Sequence, residues 1–215
     1  MRVIAGTHRG RTLAGPENDG TTRPITDRVK ENLFNRLQSL GMLTPEEPGQ
    51  AWSVVDIYCG SGSLGIECLS RGAERCLFIE SDGTAYRQLE HNLEHFDLLD
   101  RAEALQTSAT PAAWARGLAP ESIRLAFVDP PYALSEDPDA ARAVGRVLEA
   151  IAPALEPGGV ALWRTAVEIT PDAQPGYDGP ESVSYGGMAL HFFQIPLPED
   201  DADAPYPEPG DAPAP

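Results

Sequence analysis

The chain has 215 residues, 41% of them hydrophobic, enough for one sizeable core and a small appendage. No apolar run approaches the roughly twenty residues of a membrane span, and MRVIAGTHRGR at the N-terminus lacks the apolar stretch of a secretory signal, so a cytoplasmic protein without membrane contact is expected. Three widely spaced cysteines (Cys59, Cys68, Cys76) and no CxxC argue against disulfides and zinc, and a net charge of −17 argues at first sight against nucleic-acid binding.

The charge is uneven. Residues 1–40 carry seven basic residues against four acidic ones, whereas residues 197–215 carry six acidic residues and no base. Lys30 is the only lysine. His91 and His95, four apart on an expected helix, have no third ligand nearby, so they read as surface histidines and no metal is expected.

In chain order, Arg2–Ala5 and His8–Leu13 read as two short strands around a Gly-Thr turn. A Gly-, Pro- and Thr-rich loop follows. Thr26 is placed to cap a helix in which Val29, Leu33, Leu37 and Leu40 recur at helical spacing before Gly41. After a polar loop the pattern becomes regular. Ser53–Tyr58 reads as a strand, then come a glycine-rich turn and a helix to about Arg71. Cys76–Glu80 is a second strand, and Asp82 can cap a helix through about Phe96. Glu103–Thr107 is a weaker third strand. Thr110-Pro111 opens a short helix. Ile123–Val128 is a fourth strand, Asp139–Leu155 a helix and Gly159–Arg164 a fifth strand. Val183–Tyr185 and Ala189–Ile195 form a closing hairpin at Gly186-Gly187. Strands alternating with helices imply an α/β fold with a mostly parallel, helix-covered sheet, and the hairpin implies an antiparallel terminal edge strand. From Pro196 the Pro, Asp, Glu and Ala composition predicts a disordered tail.

Gly60, Gly62 and Gly65 form G-x-G-x-x-G between the first strand and its helix. Glycines there allow a sharp turn and close approach to a ligand. Alone the motif is shared with dinucleotide-binding proteins. Glu80 ends the second strand, where a carboxylate can accept both hydroxyls of an adenosine ribose. Asp56, four residues before the first glycine, suits a cationic ligand bearing an amino group and would repel a pyrophosphate. These features favour S-adenosyl-L-methionine over a nicotinamide dinucleotide.

The fourth strand runs into Asp129-Pro130-Pro131-Tyr132. Two prolines cannot continue a ladder and stiffen the exit from the strand, at the carboxyl edge where ligands of such sheets bind. The chemistry follows from the groups present. An exocyclic base amine is a poor nucleophile because its lone pair is delocalised into the ring. The Asp129 carboxylate and the Pro130 carbonyl can each accept one N–H, which favours an sp³-like nitrogen, and Tyr132 can stack on the base. Positioning then carries most of the rate enhancement.

Together the glycine motif and Asp-Pro-Pro-Tyr resemble amino-group methyltransferases with the class I Rossmann-like fold. Met1–Gly6, Arg9–Leu13, Thr22–Asn35, Leu69–Ala73, Phe127–Tyr132 and Tyr185-Gly186 narrow the resemblance to the RsmD family, over about residues 1–195. The resemblance implies methylation of N2 of a guanine in bacterial small-subunit (16S) ribosomal RNA, with that RNA or the assembling 30S particle as partner. It implies a cofactor site of Asp56, Tyr58, Gly60, Ser61, Gly62, Gly65, Glu80, Ser81, Thr107 and Thr26. It implies a target-amine site of Asp129, Pro130, Pro131 and Tyr132. Arg23, Pro24, Thr26 and Arg28 would lie in an N-terminal segment that covers the cofactor and meets RNA, and the positive excess of that region adds Arg9 and Arg11 as expected RNA contacts. The chain departs from the family pattern at Tyr58-Cys59, usually Phe-Ala, at Thr107-Ser108, where Asp or Asn is usual, and in its few N-terminal lysines.

The expected organisation is an N-terminal RNA-contacting extension over 1–50, a methyltransferase domain over 51–195 and a tail over 196–215, acting as a monomer. An adenine-N6 or cytosine-N4 DNA methyltransferase would share Asp-Pro-Pro-Tyr but usually carries a target-recognition domain, for which no insertion is long enough. Asp129 counts against protein glutamine methylation, which normally has Asn there. The intact tetrapeptide counts against a non-catalytic RNA-binding assembly protein.

Overall fold

A computed structural model describes residues 1–15, 25–44, 51–131 and 138–198. The strands are β1 Ser53–Ile57, β2 Arg75–Glu80, β3 Ala102–Gln106, β4 Ile123–Val128, β5 Leu155–Ala166, β6 Asp178–Tyr185 and β7 Met188–Gln194. They form one sheet in the order β3-β2-β1-β4-β5-β7-β6. Strands β1 to β5 pair in parallel, while β7 pairs antiparallel with both β5 and β6. The expected antiparallel edge is therefore present, supplied by the terminal hairpin with β7 beside β5 and β6 outermost. The cause of this order is burial: the residues of β7 are buried almost throughout and need cover on both sides, whereas β6 is mostly exposed.

The helices are α1 Asp27–Ser39, α2 Ser63–Ser70, α3 Gly83–His95 and α4 Pro138–Ile151. The side chain of Thr26 accepts the Val29 N–H and that of Asp82 accepts those of Thr84 and Ala85, as their N-cap positions predict. Between β3 and β4 the expected short helix is reduced to two 3-10 turns, Pro111–Ala113 and Ala115–Gly117. The helix expected to reach Leu155 stops at Ile151, two residues before Pro153.

Each sheet face has its own core. Leu33, Phe34 and Leu37 of α1 pack with residues of α2 and α3 against Val54, Phe78, Phe127 and Leu162. Val144, Val147 and Leu148 of α4 pack with Trp114 against Val55, Ile57, Val128 and Trp163 on the other face. Burying each large apolar side chain contributes about 1.5–3 kcal/mol. Among the described residues no helix is long and apolar enough to cross a membrane.

The N-terminal hairpin is shorter than its sequence predicts. Only Arg2 and Thr12 form a bridge. Val3 N–H donates to Arg11 O and Leu13 N–H to Met1 O on either side of it, but toward the turn the backbone bonds to α2 instead: Ile4 and Ala5 donate to the Glu67 carboxylate at 2.7 and 3.0 Å, and Thr7 donates to Ser70 O at 2.8 Å. Glu67 also faces Lys30 Nζ at 3.3 Å, with both side chains wholly buried, and accepts Arg71 Nε at 2.9 Å. Burial lowers the Lys30 pKa, and the Glu67 carboxylate opposes that. This buried cluster ties the N-terminal hairpin and α1 to the helix that follows the glycine turn.

Candidate active site

The strand order reverses direction between β1 and β4, so their carboxyl ends open the crevice where ligands of such sheets bind. Asp56 is level with Phe78 of β2 and Phe127 of β4, and both phenylalanines face the core under α1–α3. Side chains alternate along a strand. Asp56, and Glu80 and Asp129 two residues beyond those phenylalanines, therefore share one face at the carboxyl edge.

The glycine turn is fixed by backbone bonds to these carboxylates. Gly60 N donates to Glu80 Oε2 at 2.8 Å and Asp82 N to Glu80 Oε1 at 2.7 Å. Gly65 N donates to Asp56 Oδ2 at 2.8 Å. Gly65 must be glycine because an added Cβ would lie 2.4 Å from Phe78 Cε1. Gly60 has φ +57 and open space within 4 Å of where its Cβ would stand, so the backbone is accessible to a ligand there. Tyr58 adopts φ 60, a strained conformation for a bulky residue at the mouth of the turn. Burial raises its pKa.

Asp56 is 1% exposed. Its Oδ1 has no hydrogen-bond partner among the described residues. Burial pushes its pKa up to about 8; the Gly65 N–H opposes this, and the negative charges of Asp129 and Glu80 add to it. A buried acceptor without a donor costs about 1–3 kcal/mol, more if charged, so this oxygen is suited to a cationic donor.

Asp129 follows β4, and its N–H donates to Ile57 O at 3.1 Å. Arg164 Nε of β5 donates to Asp129 Oδ1 at 2.5 Å. Pro130 is buried and Pro131 exposed. Thr107, just past β3, donates its N–H to Glu80 O at 2.9 Å and so stands beside Glu80, with exposed Ser81 next in sequence. Ser61 is buried, and its carbonyl accepts Asn92 Nδ2 at 2.9 Å. The same Asn92 amide bonds both backbone groups of Ala14, linking the N-terminal segment to the turn. Tyr132, Arg23 and Pro24 lie outside the described residues.

The expected RNA-facing residues divide. Arg9 and Arg28 are exposed. Arg11 is half-buried: its guanidinium lies 4.4 Å from the Phe96 ring centroid and donates to the carbonyl of His95 at the end of α3. It also approaches His8 Nδ1 at 3.0 Å. The His8 pKa is lowered, chiefly by burial and then by Arg11 and Arg101. Thr26 is exposed, and its hydroxyl is engaged as the cap of α1. A cavity of about 330 Å³ opens among Ser53, Arg75, Ala102 and Trp114, at the opposite edge of the sheet from the three carboxylates.

Residues 1–193 match the family described as Conserved hypothetical protein 95, and curated relatives of the chain include ribosomal RNA small subunit methyltransferase D. The chain belongs to this RsmD family. YlbH of Bacillus subtilis is 39% identical over 132 residues, 61% of this chain and 67% of its own length. Ribosomal RNA small subunit methyltransferase D of Haemophilus influenzae is 37% identical over 133 residues, 61% of this chain and 64% of its own length. The match thus spans about two thirds of those relatives or less. The hypothetical protein TTHA0928 of Thermus thermophilus superposes with a TM-score of 0.69 at 25% identity, covering 92% of this chain and 99% of that one. An RNA methyltransferase from Salinibacter ruber in complex with S-adenosyl-L-homocysteine superposes with a TM-score of 0.53 at 16% identity, over 83% of this chain and 98% of its own; that likeness concerns the fold. The RsmD-family fold is thus the Rossmann-like sheet described above.

Sequence reasoning missed Arg164, Asn92 and Glu67. An arginine inside the apolar run VALWRTA does signal a buried carboxylate partner. Which carboxylate it meets depends on strand order, which the run itself does not encode.

Proposed function

We propose that the protein transfers a methyl group from S-adenosyl-L-methionine to the exocyclic N2 of a guanine in small-subunit ribosomal RNA, acting as a cytoplasmic monomer on that RNA or on the assembling 30S particle. The observation that carries this reading is the set of three carboxylates, Asp56, Glu80 and Asp129, gathered on one face around the glycine turn, with Asp56 Oδ1 lacking a donor among the described residues. RsmD-family membership adds the substrate class, because relatives bear the name ribosomal RNA small subunit methyltransferase D.

The residues present fit the cofactor. A buried acceptor in need of a cation and an open backbone at Gly60 suit an amino-acid ligand with a sulfonium, which when bound supplies an activated methyl group. In this reading Asp56 and the turn from Tyr58 to Gly65, Ser61 and Gly62 included, hold its amino-acid end. Glu80 accepts ribose hydroxyls through lone pairs its backbone donors leave open, and Ser81 and Thr107 flank the base. Asp129 and the Pro130 carbonyl accept the two N–H groups of the target amine and aim its lone pair. Pro131 stiffens that edge and Tyr132 stacks on the guanine. Arg9, Arg23 and Arg28 contact phosphates in the extension over 1–50, which leads into the catalytic domain over 51–195.

Two measurements test the reading. Calorimetry should show binding of S-adenosyl-L-homocysteine and none of NAD. Small-subunit RNA from a deletion strain should lack one N2-methylguanine that the purified protein restores. NAD binding, or an unchanged methylation map, would refute the assignment.

A further inference from the structure

Arg164 stands near the end of β5, a strand whose residues from Gly158 to Thr165 are buried without interruption. A cation there is costly unless paired, and a well-packed apolar residue in such a place is often the more stable choice. Its position is set by register. Leu162 of β5 is level with Phe127 of β4, and Trp163 with Val128. Arg164 is therefore level with Asp129, on the face that also carries Asp56 and Glu80. Its Nε donates to Asp129 Oδ1 at 2.5 Å, with the two side chains only 10% and 15% exposed. A guanidinium held in a strand is a rigid donor, so it fixes both the rotation and the placement of the carboxylate it bonds. Its charge also offsets that of Asp129.

We propose that Arg164 is a positioning residue for methyl transfer: by holding Asp129 Oδ1 it presents Oδ2 to the target amine. This rests on the reading of Asp129 as the amine acceptor. In this proposal Arg164 acts through Asp129 and not on the reacting atoms. Misplacing a reacting group by about 1 Å can cost on the order of a hundredfold in rate, which sets the expected effect.

The test uses the full chain and its R164M, R164K, D129N, R164M/D129N and R164K/D129N variants. Methyl transfer from labelled cofactor to small-subunit RNA is measured with kcat and the RNA KM separated. S-adenosyl-L-homocysteine affinity and Tm are measured alongside. R164M should lower kcat about a hundredfold while the RNA KM and the cofactor-product affinity stay within about twofold. R164K, which keeps a donor and the charge, should recover about tenfold or more of that loss. The double variant should be no slower than D129N alone, because coupled residues are not additive. A wild-type kcat in R164M, or losses that multiply in the double variant, would overturn the proposal. If R164M does not fold, R164K decides: it should slow the wild-type background but not the D129N background, and equal slowing in both overturns the role. A fully active D129N would instead overturn the reading of Asp129 on which this one stands.

Discussion

Glu80 accepts the backbone N–H of Gly60 at 2.8 Å through one oxygen and that of Asp82 at 2.7 Å through the other. A single carboxylate thus joins the end of β2, the glycine turn and the cap of α3. Glu80→Ala should weaken S-adenosyl-L-homocysteine binding by at least about tenfold, since each charge-assisted hydrogen bond contributes on the order of 1.5–3 kcal/mol. It should also lower the Tm of the free protein modestly, because two backbone donors lose their acceptor. Titration calorimetry and thermal unfolding read the two effects separately. An unchanged dissociation constant would remove Glu80 from the cofactor site.

Asp56 should make the stability of the free protein depend on pH. Its folded pKa of about 8 stands well above the ordinary value of 3.8, so between these values the folded chain holds a proton that the unfolded chain has lost. The resulting stabilisation is complete below the unfolded pKa and disappears as pH rises through about 8. Asp56→Asn keeps an acceptor for Gly65 N and removes the titration. The variant should therefore lose less Tm than the wild type between about pH 6 and pH 9. A cationic ligand favours the ionised carboxylate, so cofactor binding near neutral pH should release a proton from the wild type but not from Asp56→Asn. Calorimetry in buffers of different ionisation enthalpy measures this; identical proton release in both proteins would sink the assignment.

Much of this site was legible before any coordinates. The strand–glycine–helix pattern, Glu80 at a strand end and Asp129 before two prolines each follow local rules, and parallel topology then brings them to one edge. The caps at Thr26 and Asp82 follow the same kind of rule. What escaped depends on non-local pairing. The hairpin of residues 1–13 is short because the backbone donors of Ile4, Ala5 and Thr7 find Glu67 and Ser70 on a helix some sixty residues away. β7 rather than β6 lies beside β5 because it is the more buried of the two. Arg164 and Asn92 acquire their roles only once strand order and helix packing choose their partners.

Lys30 should be a stability residue. Its Nζ sits 3.3 Å from Glu67 Oε2 with neither side chain exposed, and it donates to the Arg2 carbonyl at 2.5 Å. Lys30→Met leaves Glu67 with less compensation, and breaking a buried pair costs about 3–5 kcal/mol. Denaturant unfolding should show that loss. The Lys30→Met/Glu67→Gln double variant should recover part of it, because no uncompensated charge remains. A Lys30→Met midpoint equal to the wild type would mean the cluster contributes nothing to anchoring the N-terminal segment.

The arginines of that segment should separate by function. Arg9 and Arg28 are exposed, whereas Arg11 is spent on Phe96 and the end of α3. Arg9→Ala and Arg28→Ala should each raise the RNA KM and flatten its salt dependence, by about 0.9 in the logarithmic slope for a lost duplex phosphate contact and about 0.7 for a single strand. Neither should change the Tm. Arg11→Ala should lower the Tm through the lost cation–π and helix-end contacts, with little change in salt slope. A salt slope that falls only in Arg11→Ala would invert this division and put the RNA path over α3.

Asp129 carries the sharpest consequence. Its carboxylate is expected to accept an N–H of the target amine while the backbone before it is fixed by the bond from Asp129 N to Ile57 O at 3.1 Å. Asp129→Ala keeps that backbone and removes the acceptor, so methyl transfer should fall by at least about a hundredfold. S-adenosyl-L-homocysteine should bind as before, because Asp56 and Glu80 are untouched. Asp129→Asn keeps shape and one acceptor oxygen but loses the charge, and its amide must compete with Arg164 as a donor facing a donor. It should retain more activity than the alanine variant and less than the wild type. Labelled cofactor with small-subunit RNA or its assembling particle gives the rates, and calorimetry gives cofactor affinity. An Asp129→Ala protein with full activity would end the proposed mechanism. Equal loss of activity and of cofactor binding would move Asp129 into the cofactor pocket and leave the amine acceptor to be sought among other groups at the carboxyl edge of β4.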